Sequence, residues 1–487
     1  MRGTIDIGIE LGNTAGAIAV AEDGGVRVLR NNENRERTPS AVFMPRPGRT
    51  VVGRVARERL AASPDDAYAG FVDTLGTAGG EYRFHRAGVT RTAGQLTAEV
   101  LKSLCRDAFH ELGEPPAAAV ITVPPSFTPE QHDATRAAAV LAGLSEDCPL
   151  LPEPVAVALA YGTDGTAPRG HRMVFSLGSS GFTASLVGER DGELRLVGHT
   201  GDPHLGDRNI GWAIVDELLA PAVACDFALP DFARGNVRWR TNFAKLRAAV
   251  EAARTELSRA GETALFVDLR TDGGEETFSY TLTRGALDDL ARPFYAQAVR
   301  LCRHLLAEHS LRPEDVDRLL LAGGATLAPG LRELLADPRD GLGIRVDHSQ
   351  DPTTVVARGA ALHAGTVPLP AASPAPARDE VAGLLRETRD ALGRCTGLLD
   401  HAGPGLPDRL RAAVALLRET VGRLDDDLRR GAAAEWHTAP ASRTRALALL
   451  RRLRDRLAEL HDALTGDACG KSGRPGPLGT GPGPVLP

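Results

Sequence analysis

Three glycine-centred segments of this sequence could hold a polyphosphate without using a charged side chain. The first, IDIGIELGNTAGAIAV (5–20), reads as a strand, a turn at Gly12, Asn13 and Thr14, and a second strand. The second, MVFSLGSSGFTASLV (173–187), has apolar flanks around Gly178, Ser179, Ser180 and Gly181. The third, RLLLAGGATLAPGLREL (318–334), reads as a strand, Gly323 and Gly324, then a helix. Glycine lets a backbone approach a ligand with no Cβ in the way. Successive N–H groups in such turns form anion-binding concavities, and a helix N-terminus adds more donors. Each turn alone also reads as a plain hairpin or helix cap. The three together, about 165 and 145 residues apart, point to two lobes gripping one nucleotide.

The surrounding elements must supply those lobes. Residues 1–366 alternate apolar strands with helical stretches, the pattern of an α/β protein. Strands are expected at 5–10, 16–21, 26–30, 118–123, 172–177, 182–188, 194–199, 263–269, 277–283 and 317–322. Helices are expected at 94–112, 129–143, 152–161, 207–220, 239–260, 284–309, 328–336 and 353–365. At 367–377 the text changes to VPLPAASPAPA, an extended and stiff linker. Leucine-rich stripes at helical spacing then mark three amphipathic helices within 378–466, which calls for a small helical bundle. Residues 467–487 are Gly/Pro-rich and read as a disordered tail.

With 487 residues, 43% of them hydrophobic, and a formal net charge of −6, the chain has room for more than one core. Such a charge creates no strong field for nucleic acid or an anionic membrane, so neither is expected as a partner. No apolar run reaches the length of a spanning helix, and the chain enters a strand pattern directly at its start. The six cysteines are scattered with no metal-ligand spacing, which reads as buried small residues in a reducing cytoplasm.

These segments resemble the nucleotide-binding domain of the seventy-kilodalton heat-shock chaperones of the DnaK type, within the actin and sugar-kinase superfamily. GIELGNTAGAIAV (8–20) is similar to that family's first phosphate loop, and NNENRERTPSAVFM (31–44) to the segment after its early strands. AVITVPPSFTPEQHDATRAAAVLAGL (119–144), EPVAVALAYG (153–162), GDPHLGDRNIGWAIVDEL (201–218) and LRAAVEAARTELS (246–258) extend the likeness. LLLAGGATLAPGLREL (319–334) and DPTTVVARGAALHAG (351–365) complete it. The resemblance implies an actin-like two-lobed ATPase domain, followed here by an all-α bundle, with ATP or ADP and magnesium in the cleft. It places Gly12, Asn13 and Thr14 on the phosphates from one lobe and Gly178, Ser179, Ser180 and Gly181 from the other. Glu251, Arg254 and Ser258 fall on the family's adenosine helix, and their three- and four-residue spacing puts them on one helical face. A surface ion pair between Glu251 and Arg254 is the plain alternative. Gly323 and Gly324 would approach the nucleoside, with Asp351 near the base.

The same resemblance exposes missing chemistry. Glu10 stands where the family has an Asp, and its longer side chain is expected to reach magnesium or its water shell. The family's catalytic lysine falls near Val72, and no lysine precedes Lys102, leaving Arg83 or Arg86 as candidate substitutes. Glu153 retains the family's carboxylate and is the one candidate catalytic residue. Ser176, Gly181 and Thr183 replace an acid, a threonine and a second acid, and Thr255 replaces the adenine-stacking arginine. Backbone donors hold phosphate whatever the side chain, whereas hydrolysis depends on placed charge. The expectation is therefore an ATP-binding, chaperone-like or regulatory protein with weak or absent hydrolysis. A non-hydrolysing scaffold that recruits a protein partner through its C-terminal helices is the alternative, and a small-molecule kinase is a more distant one. The family's peptide-gripping β-sandwich has no counterpart in 378–466, where no alternating strand pattern occurs.

Overall fold

The computed structural model describes residues 5–22, 25–77, 79–162, 170–368 and 378–401, with single positions between 414 and 461. The chain divides into two compact units, residues 1–368 and 369–487.

Two five-membered strand paths of the same order organise the first unit. In one, Gly25–Val28, Ala15–Glu22, Ile7–Glu10, Val120–Val123 and Leu150–Pro152 lie side by side, with Thr38–Pro39 added against Ala15–Glu22. In the other, the order is Glu193–Asp202, Phe182–Arg190, His171–Leu177, Val316–Ala322 and Val346–Asp347. Each path runs antiparallel through its first three strands and parallel through its last two. The chain thus builds the same sheet twice. The first glycine turn joins two strands of one sheet, and the second glycine turn joins the equivalent two of the other. All ten strands expected from the sequence form, with ends shifted by a few residues.

Two helices tie the sheets together. Helix Glu153–Tyr161 follows the last strand of the first sheet, and its Tyr161 hydroxyl donates to the Leu321 carbonyl of the second sheet at 3.0 Å. Helix Val355–Ala364 packs against it so closely that a Cβ on Gly359 would lie 1.7 Å from the Ala156 carbonyl oxygen. Only glycine permits that crossing. The second sheet is covered by a large apolar core that includes Phe175, Phe182, Ile210, Phe243, Leu246, Leu319 and Leu331.

Several smaller elements were not legible in the sequence. A three-stranded sheet of Ala41–Arg46, Arg49–Val52 and Ala67–Ala69 carries helix Arg54–Ala62, and Glu81–Phe84 pairs with Val89–Thr92. These strands are short, and Pro, Arg and Thr interrupt their apolar residues, so alternation is weak. The helix expected at 207–220 is interrupted: Asp207–Ile214 runs into a π-helical turn, Val215–Leu219, and then into Ala220–Asp226. Hairpin Glu262–Thr271 with Gly274–Thr283 lies against helix Arg240–Leu257, where Asn242 bridges to both the carbonyl and the N–H of Arg270.

In the second unit, helix Arg378–His401 contributes Ala391 and Cys395 to a core with Val414, Leu417, Val421, Leu453 and Leu457. Thr388 and Cys395 donate to the Leu450 and Leu457 carbonyls of the last helical segment. No strand occurs among the described residues of this unit. Most of the linker and the whole 467–487 tail lie outside the described residues. Burial of the cysteines is only partly as expected: Cys148, Cys302 and Cys395 are buried, Cys105 is half-buried and Cys225 is exposed. Cys469 lies outside the described residues. Among the described residues, no helix is long and apolar enough to cross a membrane.

Candidate functional site

The first unit contains a cleft of about 1500 Å³. All three glycine segments line it: Gly12, Asn13 and Thr14 from the first sheet, Gly178 to Gly181 from the second, and Gly323 and Gly324 from the third segment. Glu10, Glu153, Glu251, Arg254 and Ser258 line it as well. Residues more than 300 positions apart in the chain thus meet in one concavity.

The two hairpin loops keep their backbone donors available. Among the described residues, the N–H groups of Gly12, Asn13 and Thr14 find no acceptor, and neither do those of Ser179, Ser180 and Gly181. Strand pairing explains why. Ala17 stands opposite Glu10, and Leu177 opposite Phe182, so each loop lies just beyond the last paired residues. The second loop is fixed by its carbonyls. Gly178 N–H donates to Gly181 O at 3.0 Å, while Asp207 and Arg208 N–H donate to Gly178 O and Ser179 O at 2.9 and 3.0 Å. The first donors of helix Asp207–Ile214 are thereby spent on the loop. Gly323 has φ +88°, and a Cβ there would lie 2.2 Å from the Leu177 carbonyl oxygen. Its side is filled by the second loop's own strand, so the fold itself requires glycine at that point.

The adenosine-helix residues take partners other than each other. Glu251 pairs with Arg57, and Arg254 pairs with the Asp207 carboxylate and donates to its carbonyl at 3.0 Å. The i,i+3 ion pair that the spacing allows therefore gives way to contacts with other elements. Ser258 Oγ donates to Thr255 O at 2.7 Å, and Thr255 Oγ1 donates back to Glu251 O. Asp351 stands beside residues that line the cleft. It is exposed and does not line the cleft, and its carboxylate accepts from the N–H and hydroxyl of Thr353 at 2.9 and 2.8 Å. That turn instead presents Pro352, Thr353 and Thr354 to the cleft, and Pro352 O accepts from Gly323 N–H at 2.8 Å.

The charged residues are arranged in a way the sequence did not disclose. Glu10 is buried and its carboxylate closes on Arg37, with Oε1 2.8 Å from the guanidinium. Burial pushes the Glu10 carboxyl up, and Arg37 pulls it back. Glu153 opens its helix in a partly buried position, with its pKa raised to about 8 by burial and then by Glu10 and Asp73. Burial thus favours its protonated form at neutral pH. Val72 is buried at the cleft wall where the family lysine would fall, and next to it Asp73 accepts from the Asn13 side-chain amide. Arg83 and Arg86 do not supply the missing cation. Neither lines the cleft, and Arg86 pairs with Asp66 at 3.2 Å. The cations that do line it include Arg37, Arg57 and Arg208. Ser176 and Thr183 stand directly opposite each other on paired strands, both lining the cleft.

A family model described as Hsp70 protein matches residues 6–371. The chain belongs to the Hsp70 family. A curated relative, the chaperone protein DnaK of Trichormus variabilis, is 31% identical over 385 residues, covering 74% of this chain and 54% of the relative. This Hsp70-family chain thus spans about half the length of the curated relative it matches. The cleft between the duplicated sheets is the family's two-lobed α/β architecture.

Magnesium, which the resemblance implies beside the nucleotide, fits the donor set of this Hsp70-family chain poorly. The ion takes oxygen ligands, typically one or two carboxylates with waters and phosphate oxygens. Here Glu10 is engaged by a guanidinium, Asp73 by Asn13 and Asp207 by Arg254, burial biases Glu153 toward its protonated form, and Asp202 accepts from the His204 N–H. Among the described residues, no three acidic, histidine or cysteine side chains gather as a metal-binding group.

Proposed function

We propose that this protein binds ATP and ADP in the cleft of residues 1–368 with weak or absent hydrolysis, and acts as a nucleotide-dependent binder of a protein partner. One observation carries the reading. Two loops from equivalent places in duplicated sheets bring six acceptor-free backbone N–H groups to one cleft, while the carboxylates and lysine around them are replaced or, as at Glu10, already paired. Backbone donors favour phosphate binding irrespective of side chain. Hydrolysis needs an oriented water and offset of charge on the γ-phosphate. Ser176, Thr183 and Val72 offer no such charge, and burial biases Glu153 toward its protonated form. Loss of one positioned electrostatic group costs about 10²–10³ in rate, and effects of several are not additive.

Family membership and the DnaK relative favour a chaperone-type role, with a protein as partner and a cytoplasmic setting. The second unit favours recruitment by helices over the family's peptide-gripping sandwich, because its described residues form a helical core. Calorimetric titration with ATP and ADP, followed by a turnover assay beside an ordinary family ATPase, tests the reading. Saturable binding with turnover at least about 100-fold lower is expected. Turnover matching the ordinary enzyme would overturn the loss of hydrolysis, and turnover stimulated by unfolded peptide would favour an active chaperone over a scaffold.

A further inference from the structure

Arg37 is the best-connected cation in the cleft. Its Nη2 donates to Glu10 Oε1 at 2.8 Å and to the Ala15 carbonyl at 3.1 Å, and its Nη1 reaches Glu10 Oε2 at 3.4 Å and the Thr353 carbonyl. Those partners come from the first glycine loop's two strands and from the turn that precedes helix Val355–Ala364. A guanidinium fork matched to both oxygens of a carboxylate is a strong and geometrically defined pair. Here it consumes Glu10, one of the carboxylates that a divalent cation in this cleft could use. Withdrawing Glu10 from it would leave a partly buried guanidinium unpaired, which is costly. Arg37 has not spent all its capacity, since its Nε–H has no partner among the described residues. It lines the same cleft as the two phosphate-binding candidates.

We propose that Arg37 is a built-in countercation, so that this cleft binds adenine nucleotide without needing magnesium. This deepens the nucleotide-binding reading above and rests on it. The unspent N–H of this guanidinium offers a phosphate oxygen a charge-assisted donor without metal, at the expense of the mobile, strongly polarising ion that phosphoryl transfer uses.

The test is calorimetric titration of the full chain with ADP and ATP, in excess magnesium and in EDTA. Affinity should differ less than about threefold between the two, well under the 1.4 kcal/mol of a tenfold change. A drop of about tenfold or more in EDTA would overturn the proposal while leaving nucleotide binding intact. Absence of binding in both conditions would sink both readings. Arg37→Gln, which keeps a donor and removes the charge, should lose about tenfold or more in EDTA and recover when magnesium is added. Arg37→Lys should bind equally with and without the metal. Circular dichroism of each variant reports folding, and the wild-type comparison stands without them.

Discussion

Glu153 begins its helix with a carboxyl that burial, Glu10 and Asp73 hold protonated to about pH 8. In the unfolded chain the same group releases its proton near 4.5. Between those values the folded state binds the extra proton, so raising the pH draws the equilibrium towards the unfolded chain. The associated stability is fully present below the unfolded value and is lost as pH rises through the folded one. Glu153→Gln, which mimics the protonated form, should remove this dependence. Its melting temperature should gain on the wild type between about pH 5 and about pH 8.5. Parallel melts of the two proteins check this, and a constant difference across the range would contradict it. The identity of Glu153 was readable in the sequence. Its protonation was not, because two of the groups that raise it, Glu10 and Asp73, come from elsewhere in the chain.

Among the elements, the crossing of helices Glu153–Tyr161 and Val355–Ala364 sets how the two sheets meet. With Gly359 against the Ala156 carbonyl, an added methyl has no room. Gly359→Ala should force the helices apart and destabilise the first unit by about 1–3 kcal/mol or more, read as a lower urea midpoint. An unchanged midpoint would mean that the crossing relaxes freely. The long strands and helices of this unit were legible because their apolar spacing is regular. The short strands around Ala41–Val52 and the π-helical turn at Val215–Leu219 were not. A strand of four residues carries too few alternations to read, and a π-helical turn changes backbone hydrogen bonding without changing the apolar pattern.

At the scale of the whole molecule, two compact units with their own cores lead to a separable prediction. Every lining residue of the cleft lies between Glu10 and Val356. A chain ending at residue 368 should therefore fold and bind ADP with the affinity of the full chain, within about threefold. Calorimetry on both chains checks this. A loss of binding on truncation would show that the helical unit contributes to the cleft.

The sequence by itself determined the family, the α/β class with two lobes and the three glycine turns, since each rests on local residue type and regular spacing. It also showed which charges are missing, because a replaced side chain is visible without coordinates. Only the tertiary structure decided where the remaining charges go. Arg37 lies 27 residues from Glu10 in sequence yet pairs with it. Glu251 turns to Arg57, Arg254 turns to Asp207, and Asp351 caps a turn outside the cleft. Ion pairing acts through space between elements that the fold alone brings together, and spacing along one helix or loop does not specify it.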